Sequence, residues 1–187
     1  NLLVMAYMDK KISLAQLMQN WGIVFVGNFA GAMGVALLIY WSGHWHTGAG
    51  AVGVKVLSIA THKVSLGFGE AFFRGVLCNI LVCLAVWLCF AGRSVTDKIL
   101  AIVFPITAFV ALGFEHSVAN MYFIPAGVLA GLDPQIVLLA EQSAALDLSS
   151  LTVSTFLLNN LLPVTLGNIV GGSFFVAVTY WFLYLRD

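Results

Sequence analysis

The stretch ALGFEHSVANM, residues 111–121, sets Glu115, His116, Ser117 and Asn120 between two almost wholly apolar runs, Ile99 to Phe114 and Val118 to Leu132. As a single helix, residues 99–132 would reach about 50 Å at about 1.5 Å per residue. The hydrocarbon core of a bilayer is only about 30 Å thick. The run is therefore predicted to break. Gly113, just ahead of the polar cluster and flanked at a distance by Pro105 and Pro125, marks the place. Irregular backbone at membrane depth persists only where protein or a water-filled cavity satisfies its polar groups.

Working outward, the remaining chain reads as membrane protein. Of 187 residues, 61% are hydrophobic and 9% charged, and the mean hydropathy is +1.00, too apolar for a soluble domain's surface. Residues 1–8 are apolar but shorter than the roughly 20 residues a spanning helix needs, and read as half of a helix. Asp9, Lys10 and Lys11 end that stub, Ser13 stands where an N-cap belongs, and residues 14–41 form a full span. Residues 42–65, rich in Gly and His, read as an extramembrane loop with a short helix over 51–60. A second span covers 69–90 and closes at Gly92-Arg93-Ser94. The broken span 99–132 follows, then a polar connection over 133–150 with a small helix at 134–142. The last span is 151–185, with Pro163 near its start. The fold class is all-α membrane protein, one transmembrane domain over residues 1–187.

Eight basic residues balance eight acidic ones, so no basic face offers itself to nucleic acid. If the spans alternate, Lys10, Lys11, Arg93, Lys98 and Arg186 share one side and Lys55 and Lys63 the other, which makes the first side cytoplasmic. Trp41, Trp45, Trp87, Trp181 and Tyr184 fall near span ends, as interfacial aromatics do. Cys78, Cys83 and Cys89 share one span at spacings that suit neither a metal site nor a disulfide framework. His44 and His46 supply two ligands in a loop without a neighbouring Cys or carboxylate, which does not make a metal site. No phosphate-binding loop or serine triad is present, and no cofactor is expected.

Gly27-Asn28-Phe29-Ala30-Gly31 recurs as Gly167-Asn168-Ile169-Val170-Gly171, and Tyr40-Trp41 as Tyr180-Trp181, at the same offset of 140 residues. Two matches at one offset indicate an internal repeat. The later copy carries three helices, the middle one broken; the earlier shows only a stub and its last helix. Units of three spans must lie inverted in the membrane, an arrangement that builds a midplane site from broken helices. The stub 1–8 is then expected to be the rear half of a broken helix whose front half, with the helix before it, lies outside this chain.

His116 is the main functional candidate. An ionisable side chain in a broken helix is costly at membrane depth, and apolar surroundings favour its neutral form. Lining a path, it could hydrogen-bond a small polar solute; the plain structural alternative is a core histidine bonded to a carbonyl. Glu115, adjacent in sequence, points elsewhere and is expected to hold the bend, with Ser117 and Asn120 satisfying backbone groups that the break frees.

FEHSVANM (114–121), RGVLCNILVCLAVW (74–87), THKV (61–64) and PVTLGNIVGG (163–172) together resemble the formate/nitrite transporter family, over essentially the whole chain. The resemblance implies an aquaporin-like protomer of six helices, the second and fifth broken, assembled as a homopentamer in a bacterial cytoplasmic (inner) membrane. It implies passive or proton-coupled passage of small monovalent weak-acid anions such as formate, nitrite or hydrosulfide. Against the family pattern the chain begins just after the first broken-helix loop. The pattern has Lys63 reaching toward the central histidine from the outer side, where a positive charge concentrates anions; composition alone makes Lys63 an ordinary interfacial lysine. It places Asn79 and Asn168 along the pore, although buried amides more commonly tie helices together. Phe109, by itself a packing residue, becomes one leaf of an apolar constriction. Two rivals remain. A facilitator of water or small neutral solutes would predict paired NPA-like motifs, which are absent. A membrane enzyme using Glu115 and His116 as acid and base would lack a third catalytic group.

Overall fold

Residues 1–144 and 146–186 are described by the structure, a computed structural model. Its helices are α1 (Leu3–Met8), α2 (Leu14–Trp41), α3 (Ala51–Val64), α4 (Phe68–Ala91), α5 (Val95–Ala111), α6 (Ser117–Ala130), α7 (Pro134–Ala144) and α8 (Val153–Tyr184), with a 3₁₀ turn at His44–His46. Among the described residues there is no strand. Helices α2, α4 and α8 are each long and apolar enough to cross a membrane. The α6–α7 pair is bent by 100°.

Helix starts follow from the polar residues that punctuate the apolar runs. Ser13 Oγ accepts the Gln16 N–H at 3.2 Å while Gln16 Oε1 accepts the Ser13 N–H at 2.8 Å, a capping box at the head of α2. Ser94 and Asp97 make the same reciprocal pair at the head of α5. Asp133 Oδ1 accepts the N–H groups of Gln135 and Ile136 at the head of α7, and its Oδ2 pairs with His46 Nε2 at 2.9 Å. Lys10, Gly43, Gly48, Gly50 and Gly113 adopt positive φ, each at or near a helix end, where the left-handed conformation turns the chain.

Two compact units are distinguished. One contains Asn1–Ile23, Gly69–His116 and the chain from Val164 onward. Here α8 lies directly on α4: a Cβ at Gly167 would run into the Phe72 carbonyl, and one at Gly171 into the Val76 carbonyl. This four-residue pair of glycines lets the backbones approach, as small residues do between membrane helices. Val4, Leu17 and Ala177 are buried together beside them. The other unit contains Val24–Phe68 and Ser117–Pro163. In it α3 packs on α6 with Ala60 against Gly127, where a Cβ would overlap the alanine side chain. Leu57, Ala126, Ala130, Ile136 and Ala140 complete that core.

Pro105 and Pro125 lie on either side of the break, inside α5 and α6, and Gly113 turns the chain between them. Two expectations are corrected. Trp45 is not an interfacial aromatic but is 3% exposed, because the 3₁₀ turn folds it back onto the Tyr40 ring at 5.4 Å. The last span is one helix but not uniformly α: residues Phe156–Leu161 and Val170–Val178 are π-helical.

Candidate functional site at the broken helix

The break is built by α5's own C-terminus. The Gly113 N–H bonds the Val110 carbonyl at 3.1 Å, and the Phe114 N–H bonds the Phe109 carbonyl at 3.0 Å. With Gly113 at φ +66°, this is a Schellman motif, the usual way a helix ends when its next residue turns left-handed. Residues 114–116 then have no regular secondary structure before α6 begins at Ser117.

Ending a helix here frees polar backbone groups that lipid cannot satisfy. The Gly113 carbonyl accepts from Arg74 Nη1 at 3.3 Å, and the Glu115 N–H donates to the Arg74 carbonyl at 3.3 Å. The same guanidinium pairs with Glu70, one turn earlier on α4. On the other side of the break the Glu115 carbonyl accepts from Asn168 Nδ2 at 3.0 Å. Arg74 and Asn168 thus grip the break from α4 and α8.

Asn168 is the hub of this unit. Its Nδ2 also donates to the Gly75 carbonyl at 2.9 Å, and its backbone carbonyl accepts from Asn79 Nδ2 and from Asn1 Nδ2. Both hydrogens of the Asn168 amide are therefore engaged on carbonyls, the inter-helix role that buried amides commonly play. Asn79, Asn168 and Glu115 are all buried. Phe109 and His116 form a second grouping, both half-buried, with ring centroids 6.0 Å apart and planes tilted by 30°.

The third grouping belongs to the other unit. Asn120, in the first turn of α6, donates from Nδ2 to Asn160 Oδ1 at 2.7 Å, and Asn160 Nδ2 donates to the Lys63 carbonyl at 2.9 Å. The Lys63 ammonium stands 5.8 Å from the centroid of the Phe123 ring, within cation–π range. Ser117 is buried at the start of α6. Among the described residues no three His, Cys, Asp or Glu side chains are grouped to hold a metal.

Sequence reasoning passed over Arg74 and Asn160. Arg74 had a signal, since it is a charged residue inside a span, four positions after Glu70, and intramembrane ionisable groups are functional candidates by default. Asn160 carried the same mark as Asn79 and Asn168, an amide in an apolar run, but lay outside the segments that resemble the family.

A family model described as formate/nitrite transporter matches residues 1–182. The chain is 45% identical over 188 residues to the formate channel FocA of Escherichia coli (strain K12), covering all of this chain and 66% of the relative. It is likewise 45% identical to a probable formate transporter of Methanothermobacter thermautotrophicus, over 96% of this chain and 64% of the relative. The chain thus spans just under two thirds of these relatives' length. Among solved structures, one described as a pentameric formate channel with formate bound superposes with a TM-score of 0.85 at 38% identity, covering 94% of this chain and 69% of that one. One described as an FNT family ion channel gives 0.79 at 32% identity, covering 97% and 65%.

Proposed function

Because the chain belongs to the formate/nitrite transporter family, we propose that it forms a membrane channel for small monovalent weak-acid anions, formate first, with hydrosulfide or nitrite as further cargo. Passage is passive or proton-coupled, the chain contributes one transmembrane channel domain, and the working assembly is a homopentamer. The relatives named above as formate channels, one of them pentameric with formate bound, support cargo and assembly. The protein sits in the bacterial inner membrane with Lys10, Lys11, Arg93, Lys98 and Arg186 on the cytoplasmic side, by the bias of basic residues.

The observation that carries the mechanism is the placing of His116 in the irregular backbone of the break, between the Schellman end of α5 and the head of α6, beside the Phe109 ring. An anion meeting an apolar constriction has a prohibitive desolvation cost, whereas its protonated form has only a polar group to desolvate. His116, in its protonated form, donates the proton there and is left neutral until it is reprotonated from the aqueous side. Phe109 keeps the passage dry enough for that difference to count. Lys63 raises the local anion concentration ahead of the constriction. Glu115, Asn168 and Asn79 hold the break from behind, with Ser117 and Asn120 doing so at the head of α6.

The test is uptake by proteoliposomes that carry the whole protein. Wild type is expected to carry formate with a pH-dependent rate, and His116→Ala to lose that dependence and about a hundred-fold or more of the rate, the lower end of the range typical of one positioned acid or base. A His116→Ala channel with unchanged rate and pH profile would remove the proton-donor role. Conduction of water or glycerol without any anion would instead make the protein a neutral-solute facilitator.

A further inference from the structure

Asn160 is fully buried, lies in a π-helical turn of α8 and has no part in the mechanism above. The bonds to Lys63 and Asn120 fix how the amide is oriented. The Lys63 carbonyl can only accept, so Nδ2 must face it; Oδ1 then faces Asn120, whose own Nδ2 must donate. Lys63 is the last but one residue of α3, and its carbonyl belongs to the final turn, where carbonyls have no partner within their own helix. Asn160 therefore closes the end of α3 from outside and ties it to the first turn of α6. The π turn that carries it fits this task, because an extra residue in a turn re-aims side chains and such turns recur at functional sites.

Both ends of Lys63 are consequently referred to α6. Its carbonyl is bound through Asn160 to Asn120, and its ammonium stands over Phe123 of the same helix. A lysine side chain is long and carries large rotamer freedom. Fixing its backbone against the helix that bears its aromatic partner limits where the charge can stand.

We propose that Asn160 is a positioning residue for anion capture: by locking the last turn of α3 to the first turn of α6 it sets the place of the Lys63 ammonium, and it acts on permeation through Lys63. This rests on the reading of Lys63 as the outer anion station, and the experiment separates the two. Initial formate uptake is measured against formate concentration in proteoliposomes of the whole protein, for Lys63→Ala, Asn160→Ala, Asn160→Asp and the Lys63→Ala/Asn160→Ala pair. Lys63→Ala is expected to raise the half-saturating formate concentration about ten-fold with maximal flux little changed, the size of effect an electrostatic lure exerts. Asn160→Ala should shift half-saturation in the same direction, and the pair should shift no further than Lys63→Ala alone. Asn160→Asp has the same size but, when ionised, lacks the donor that the Lys63 carbonyl needs, and should reproduce the shift in an assembly of parental size.

If Lys63→Ala shifts half-saturation but Asn160→Ala does not, or if the two effects multiply, the positioning role is wrong and the Lys63 station stands. If Lys63→Ala is silent, the station falls and the proposal with it. Should neither Asn160 variant assemble at parental size, the residue is structural and the proposal is overturned.

Discussion

Two interruptions of regular helix, one between α5 and α6 and one within α8, solve the same problem in opposite ways. At residues 112–116 the ladder stops, and the freed groups are taken up by the Schellman bonds and by Arg74 and Asn168. Across Val170–Val178 the ladder continues in wider turns, so backbone groups stay bonded along the helix. What this second stretch requires is space, because Gly171 and Gly172 lie where a side chain would strike Val76, Asn79 and Cys83. A stopped helix depends on polar partners, and a widened one depends on the absence of side chains. Substitutions should therefore hurt the two places for different reasons.

The largest effect belongs to the π stretch. Gly171→Val puts a branched side chain against the backbone of α4 at Val76, which cannot rotate away as a side chain could. Over-packing of this kind costs about 3 kcal/mol, and thermal unfolding of the detergent-purified assembly should show a large drop or no assembly. Parental stability in Gly171→Val would mean that α4 and α8 do not approach through this glycine.

Next comes the break. Asn168→Leu keeps bulk but removes the donor to the carbonyls of Gly75 and Glu115, a loss of about 2 kcal/mol by the usual figure for a buried polar group left without its donor. The comparison predicts that Asn168→Leu is worse than an equally buried apolar swap in the same unit, such as Val176→Leu. Equal losses would show that the break does not depend on its polar partners.

How much of this was legible beforehand divides along the same line. The stopped helix announced itself, since the run 99–132 is too long for a bilayer and Gly113 marks the stop beside four polar residues. The widened one did not, because Val170–Val178 is apolar and a π turn leaves no distinct residue pattern. The glycine spacing at 167 and 171 was visible, but at its copy, 27 and 31, an added Cβ would meet nothing within 4 Å among the described residues. Spacing grants permission for close packing and does not report it. Of the site, the residues of the break itself were readable, His116 and Glu115 above all. Their holders were not, because Arg74 reaches Gly113 from 39 positions away and Asn160 reaches Lys63 from 97, and nothing local encodes such pairings.

A smaller effect is expected at Gly113. Its φ of +66° is the reason for glycine, since the nearest atom to an added Cβ is Arg74 Nη1 at 3.7 Å. The penalty for Gly113→Ala is then conformational, about 1 kcal/mol. Gly113→Asn should recover part of it, because asparagine tolerates the left-handed region. Were the site limited by space instead, asparagine would be the worse of the two, and the ranking of the two unfolding temperatures decides.

The smallest effect compares the two ends of α5. Its C-terminus closes on Schellman backbone bonds and a guanidinium that keeps its charge, whereas its N-terminus closes on a titratable carboxylate: Asp97 Oδ2 accepts the N–H groups of Ser94 at 2.9 Å and Arg93 at 3.0 Å. Those bonds, Ser94's first, hold the Asp97 carboxyl below its usual range. A carboxylate with a lower pKa folded than unfolded adds stability above its unfolded value, about 3.9, and loses it as pH falls through the folded value. Acid should therefore loosen the head of α5 from about pH 4 downward and leave the Schellman end untouched. In Asp97→Asn this part of the acid sensitivity should vanish while the amide oxygen still accepts from Ser94. Amide hydrogen exchange over 93–98 and over 110–115, followed with pH in parent and variant, reads the two ends separately. Acid-induced exchange at both ends alike would mean that α5 melts as a unit and that its two closures are not independent.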